Sequence, residues 1–72
     1  MTIGEKIRFV LSMKRMEQKD LAKMTGITEV SLSRYISDKR TPNALTLKKI
    51  CTALGVSVDW VLEDVGGKNE NN

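Results

Sequence analysis

The apolar residues of this chain fall at helical spacing from Ile3 to Leu62, and the pattern never settles into alternation. That restricts a chain of 72 residues to a set of short helices sharing one small core. A chain this short buries only about 60% of its unfolded surface, so each apolar residue in that core counts. The expected fold class is all-α, five helices in one domain over residues 1–65. A polar tail follows over 66–72, GGKNENN, with the composition of a disordered segment and no internal repeat.

The first helix opens at Thr2-Ile3-Gly4-Glu5, a capping box in which the Thr2 hydroxyl takes the Glu5 amide and the Glu5 carboxylate reaches back. Ile3, Ile7, Val10 and Leu11 form its stripe, with Phe9, Met13 and Met16 adjoining, and it should end near Arg15. The second helix runs from Gln18 to Thr25, with Met16 and Leu21 as a hydrophobic staple around Glu17, a weak cap of favourable charge. Gly26 supplies a turn, and Thr28 caps a third helix over Glu29–Ser37. In the loop SDKRTPN, Asp38 tolerates left-handed backbone and Pro42 disfavours helix at Thr41. Asn43 caps a fourth helix striped by Ala44, Leu47, Ile50, Cys51 and Leu54 and stopped by Gly55. Ser57 caps a short fifth helix, with Val56 and Val61 as its staple and Val58, Trp60 and Leu62 as further apolar cover.

Several function classes are disfavoured by what the chain lacks. It has no histidine and one cysteine, Cys51, so metal centres, disulfides and histidine chemistry have no residues to use. No paired carboxylates suggest a catalytic set, so no enzyme, cofactor or small-molecule ligand is expected. No apolar run approaches the roughly 18 residues of a membrane span, and Glu5, Lys6 and Arg8 interrupt any leader-like segment. A reducing cytoplasm is the expected setting. Charge is uneven: residues 1–54 carry 11 Lys/Arg against 5 Asp/Glu, while 55–72 are net acidic. A basic body suggests a polyanion partner, although a solvated surface alone accounts for many such lysines.

Function concentrates in QKDLAKMTGITEVSLSRYIS, Gln18 to Ser37. Two short helices meet at the tight turn Gly26-Ile27-Thr28, with Ala22 small enough for a close crossing. Leu32, Tyr35 and Ile36 face back, and Leu21 and Ile27 complete the seam. The polar side of the third helix carries short hydrogen-bonding groups and one arginine. With Gln-Lys-Asp-Leu-Ala, Thr-Gly-Ile-Thr, Lys-Arg-Thr-Pro and Ala-Leu-Gly-Val-Ser-Val-Asp-Trp in this order, the chain over residues 3–63 resembles the Cro/repressor (XRE-type) helix-turn-helix regulators of phage and bacteria. The resemblance implies a compact, five-helix, lambda-repressor-like domain with its helix-turn-helix at helices 2 and 3. It also implies a cytoplasmic regulator, by expectation a repressor, reading a near-palindromic operator as a homodimer.

By matching position, the third helix would enter the major groove with Thr28, Glu29, Val30, Ser33 and Arg34 at the bases. Arg34 suits guanine O6 and N7, Glu29 suits cytosine N4, and Val30 suits a thymine methyl or else the core. Thr28 and Ser33 are short enough to let the helix approach closely. Gln18 at a helix start, with Ser31, Ser37, Lys39, Arg40, Thr41 and Asn43, would hold phosphates. Lys6, Lys14, Arg15, Lys19, Lys23, Lys48 and Lys49 are lesser phosphate candidates or plain solvated faces. Three features depart from the family pattern: Glu17 replaces the usual Thr or Ser cap, Ser37-Asp38 the usual Asn-Gly, and apolar Leu11 and Ile36 a usual ion pair. Val56, Val58, Trp60 and Val61 are read as core first and dimer patch second. The alternative from another class is a protein-interaction module, such as an antitoxin or anti-repressor, on the same scaffold. The residues leave open whether the domain is free-standing or part of a longer repressor.

Overall fold

Each helix starts and stops where a side chain or a left-handed residue satisfies its loose backbone groups. The computed structural model describes residues 1–63, so the expected boundary at 65 and the tail over 66–72 lie outside the described residues. The helices are α1 (Ile3–Lys14), α2 (Gln18–Thr25), α3 (Glu29–Ile36), α4 (Ala44–Leu54) and α5 (Val58–Leu62). Thr2 accepts from the Glu5 N–H at 3.1 Å and Glu5 accepts from the Thr2 N–H at 2.8 Å, completing the expected box. Asn43 and Ser57 cap α4 and α5 through the Thr46 and Trp60 amides, at 2.8 and 3.0 Å. At α2, the Asp20 carboxylate reaches back to the Glu17 N–H at 2.8 Å, so the glutamate cap is backed from three positions on.

Among the described residues, four adopt positive φ just beyond helices: Arg15 (56°), Gly26 (75°), Asp38 (62°) and Gly55 (72°). The ends of α1, α3 and α4 are Schellman closures. In these, Met16 N–H donates to the Leu11 carbonyl, Lys39 to Arg34 and Val56 to Cys51, at 2.9–3.0 Å. Glycine at 26 and 55 was expected. Arg15 and Asp38 take the same geometry against the cost of about 1–2 kcal/mol that a Cβ imposes there.

Ile7, Val10, Leu11, Leu21, Leu32, Ile36, Ile50 and Leu54 form the main core, and Leu47, Cys51 and Val61 a smaller one beneath α5. Leu11 and Ile36 both lie in the main cluster, so an apolar contact stands where the family often has an ion pair. Burial pushes the Cys51 thiol up, and the residue serves as a small apolar filler. Gly4 marks a close approach of two helices: a Cβ there would clash with the Ile36 and Tyr35 carbonyl oxygens. The backbone of α1 thus presses directly on the C-terminal end of α3.

Burial corrects the expectation at Ala44 and Lys6 and sorts the remaining apolar residues into core and edge. Phe9 and Met13 are 47% and 68% exposed, and Met1 and Met24 are also exposed, so Met16 alone among the methionines fills a core gap. Ala44 is exposed. Of the suggested dimer patch, Val61 is 1% exposed and belongs wholly to the interior, while Val56, Val58 and Trp60 are half-buried against the core. Lys6 is neither a solvated residue nor available to phosphate. It is 4% exposed, and its Nζ donates to the Trp60 and Glu63 carbonyls at 2.6 Å each, lying 5.0 Å from the Trp60 ring centre. A cation is favourable at C-terminal carbonyls, and a five-residue helix needs such tertiary support. The apolar stem of Lys6 continues the core stripe, so periodicity alone gave no sign of this role.

Two stability tests follow. Gly4→Ala should overpack the α1–α3 contact and destabilise by about 1–3 kcal/mol, read as a lower Tm; an unchanged Tm contradicts the close approach. Lys6→Met keeps the stem but removes the donor shared by the Trp60 and Glu63 carbonyls, and should cost about 1–3 kcal/mol in urea unfolding. An equal or higher urea midpoint would show that the ammonium does not hold α5.

Candidate nucleic-acid interface

The turn between α2 and α3 fixes how α3 is presented. Gly26 closes α2 with its N–H on the Ala22 carbonyl at 2.8 Å. The Thr25 hydroxyl donates to the Leu21 carbonyl at 2.8 Å and accepts from the Ile27 N–H at 3.2 Å. Ile27 then turns inward against the core. Thr28 caps α3 by accepting from the Ser31 N–H at 3.1 Å, which leaves its hydroxyl hydrogen free for an outside acceptor. Leu32 and Ile36 are buried and Tyr35 half-buried, so the opposite side of α3 must face solvent.

That outward side forms one wall of an open groove lined by Gln18, Glu29, Val30, Ser33, Arg34, Ser37 and Lys39. The start of α2, the length of α3 and the loop after it therefore share one concave surface. Val30 is 63% exposed, which excludes its core reading. Among the described residues, the Gln18 and Lys19 amides at the first turn of α2 meet no protein acceptor. Free N–H groups at a helix start attract anions.

The groove gathers only part of the expected set. Arg40 and Thr41 line a separate small depression with Thr2, Ile3, Asp38 and Pro42, beside the start of α1. Asn43 lies in neither hollow. Its Oδ1 takes the Thr46 amide, so its side-chain NH₂ keeps free donors. Ser31 is half-buried, and the Ser37 hydroxyl donates to the Arg34 carbonyl at 3.2 Å, so that proton is engaged. Glu29 is the one carboxylate in the groove wall, against Arg34 and Lys39.

The loop backbone, uncertain by sequence where Ser37-Asp38 stand, is strongly held. The Lys39 and Arg40 N–H groups both donate to the Arg34 carbonyl, at 2.9 and 3.3 Å. Asp38 does more than tolerate a turn: its carboxylate accepts from the Gly4 N–H of α1 and from the hydroxyl of Thr2, the N-cap of that helix. No sequence signal pairs positions so far apart, but an acidic residue inside a basic loop hints at an internal partner. A third hollow, mostly apolar, lies between α2 and α4; of the expected residues only the lesser phosphate candidates Lys48 and Lys49 line it.

Residues 11–61 match a family model described as helix-turn-helix. The chain belongs to the helix-turn-helix family, and its type is Cro/repressor. Among similar helix-turn-helix proteins is the SPbeta prophage-derived uncharacterized HTH-type transcriptional regulator YonR of Bacillus subtilis (strain 168), 33% identical over 60 residues, 83% of this chain and 56% of that one. The HTH-type transcriptional regulator ImmR of the same strain is 31% identical over 74 residues, covering 100% of this chain and 58% of its own. The chain therefore spans under two thirds of these curated relatives. The P22 c2 repressor protein, solved in complex with synthetic operator 9T, superposes with a TM-score of 0.80 at 28% identity, covering 94% of this chain and 98% of that one. The solution structure of the P22 c2 DNA-binding domain gives 0.83 at 30% identity, covering 96% and 92%.

Gly26→Ala tests the helix-turn-helix corner. No atom lies within 4 Å of the added Cβ, so the cost should be backbone strain alone, about 1–2 kcal/mol in Tm-derived stability. A larger loss would show a packing role for the turn that the open space denies.

Proposed function

We propose that this chain binds double-stranded DNA sequence-specifically, with α3 in the major groove, and regulates transcription as a repressor. The observation that carries the reading is the shared groove: Gln18, Ser33, Arg34 and Lys39, from three segments, face one side. A single duplex can meet all of them. The P22 c2 repressor, with the same fold at 28% identity, is found in complex with an operator, which supports duplex DNA as the ligand.

In this reading Arg34 donates to guanine O6 and N7, the commonest specific contact, and Glu29 and Val30 read a cytosine amine and a thymine methyl. Thr28 uses its free hydroxyl hydrogen, and Ser33 keeps the helix close. Gln18 and the open α2 amides take one phosphate; Lys39, with Arg40, Thr41 and Asn43 along the loop, takes the next. Ser31 and Ser37 are the weakest phosphate contacts, since one is half-buried and the other bonded within its helix. Two copies would occupy half-sites about 34 Å apart on a near-palindromic operator. With Val61 buried, the dimer contact falls to the outer side of α5, where Leu62 is 45% exposed beside half-buried Val58. A regulator of this kind works in the bacterial cytoplasm, whether encoded by the host or by a phage. No catalytic step is part of the reading.

Selection of wild-type binders from random duplexes tests this directly, and should enrich paired half-sites one helical turn apart. Binding to the selected operator should weaken steeply with salt, whereas an apolar protein contact would barely respond. Arg34→Ala should lose about 1–3 kcal/mol on that operator and relax preference at one base position. A uniform loss over all sequences would make Arg34 a phosphate contact instead.

A further inference from the structure

We propose that Asp38 is a positioning residue for DNA binding: its carboxylate ties the Lys39-Arg40 loop to the start of α1, holding the loop in its binding shape before DNA arrives. The inference rests on the DNA reading above and concerns what orders the loop that would face phosphate.

Asp38 stands at the hinge of that loop, with φ of 62°, one residue past the Ser37 end of α3. Its Oδ1 accepts from the Gly4 N–H at 3.0 Å, and its Oδ2 accepts from the Thr2 hydroxyl. The donors lie 34 and 36 positions away, so these are tertiary bonds that carry the loop to another helix. Gly4 is in the first turn of α1, where an amide has no helical acceptor and negative charge is favoured. On the other edge, the Lys39 and Arg40 amides converge on the Arg34 carbonyl. The loop backbone is therefore fixed to α1 by a side chain and to α3 by its own amides. Its side chains divide accordingly, Lys39 toward the groove and Arg40 toward the hollow beside Thr2.

A carboxylate beside a phosphate-binding loop is electrostatically unfavourable unless it serves another purpose. Left-handed geometry alone is met better by glycine, at no cost in charge. What aspartate adds is two charged acceptors for two donors on α1. Ordering a loop in advance removes part of the entropy that binding must otherwise overcome.

The test uses the full chain and the operator selected by the wild type. Asp38→Gly removes the carboxylate while keeping the backbone geometry available; Asp38→Asn keeps one acceptor. Thr2→Asp keeps an N-cap for α1 but replaces the donor with a like charge. Dissociation constants are read against salt, with amide exchange at Lys39 and Arg40 and with Tm to confirm folding. Asp38→Gly should weaken operator binding about fivefold with base preference unchanged, and speed exchange at both amides. Asp38→Asn should fall between, and Thr2→Asp should weaken binding alone but add nothing on top of Asp38→Gly. Equal or tighter binding by Asp38→Gly, or unchanged exchange, overturns the proposal, since the carboxylate would then only repel phosphate or decorate a loop ordered by other means. If the wild type selects no duplex, the DNA reading fails, while the exchange data still decide whether Asp38 orders the loop.

Discussion

Burial of one side of α3 sets everything else. Leu32 is fully enclosed and Ile36 nearly so, packed in one cluster with Ile7, Leu11 and Leu21. An eight-residue helix held at two points a turn apart cannot rotate about its axis, because a slip of one residue turns every side chain by about 100°. With those two residues inward, Val30, Ser33, Arg34 and Ser37 are compelled outward. The polar face is thus a consequence of apolar packing on the opposite side, and its precision is that of the core.

Around α3, the small size of the domain is met by closing helices tightly rather than by enlarging the core. Three Schellman closures and one simpler left-handed closure follow within the described residues, two of them at non-glycine positions. Each satisfies carbonyls that water would otherwise have to serve. Long-range contacts also serve helix ends: the Lys6 ammonium meets the Trp60 and Glu63 carbonyls at the end of the five-residue α5, and the Asp38 carboxylate meets the Gly4 amide at the start of α1. In both, a charge is matched to the helix end whose partial charge opposes it. Both contacts are made from the first four residues of α1, which thereby joins the loop after α3 to the last described helix.

The helix-turn-helix corner was readable because its signals are local. A cap at Thr28, a turn glycine at Gly26 and apolar residues at Leu21, Ile27, Leu32 and Ile36 each act within a few positions of the turn. The site residues came from matching positions in the resembled family, and the fold draws seven of them, Gln18, Glu29, Val30, Ser33, Arg34, Ser37 and Lys39, to one groove. Unreadable were the features that depend on what lies across the fold. Lys6 resembles any basic residue on a helix until Trp60 and Glu63 are placed beside it. Phe9 and Met13 adjoin the α1 stripe in sequence, yet no other helix covers them. Val61 and its neighbours read as core first and interface second by composition, and burial places Val61 inside.

Taken alone, the amino-acid order determined the number of helices, their starts at Thr2, Thr28, Asn43 and Ser57, and the side of α3 that carries short polar groups and an arginine. These are decided by hydrogen bonds and periodicity within a turn or two of chain, where sequence distance and spatial distance are the same thing. The tertiary structure decided which basic residues meet in one groove, that Arg40 and Thr41 stand apart from Lys39, and that Lys6 and Asp38 serve helix ends far along the chain. Those outcomes depend on the direct backbone contact of Gly4 with Ile36 and on the packing angles it permits. No local pattern encodes an angle between helices; it emerges only when all their apolar faces are buried at once.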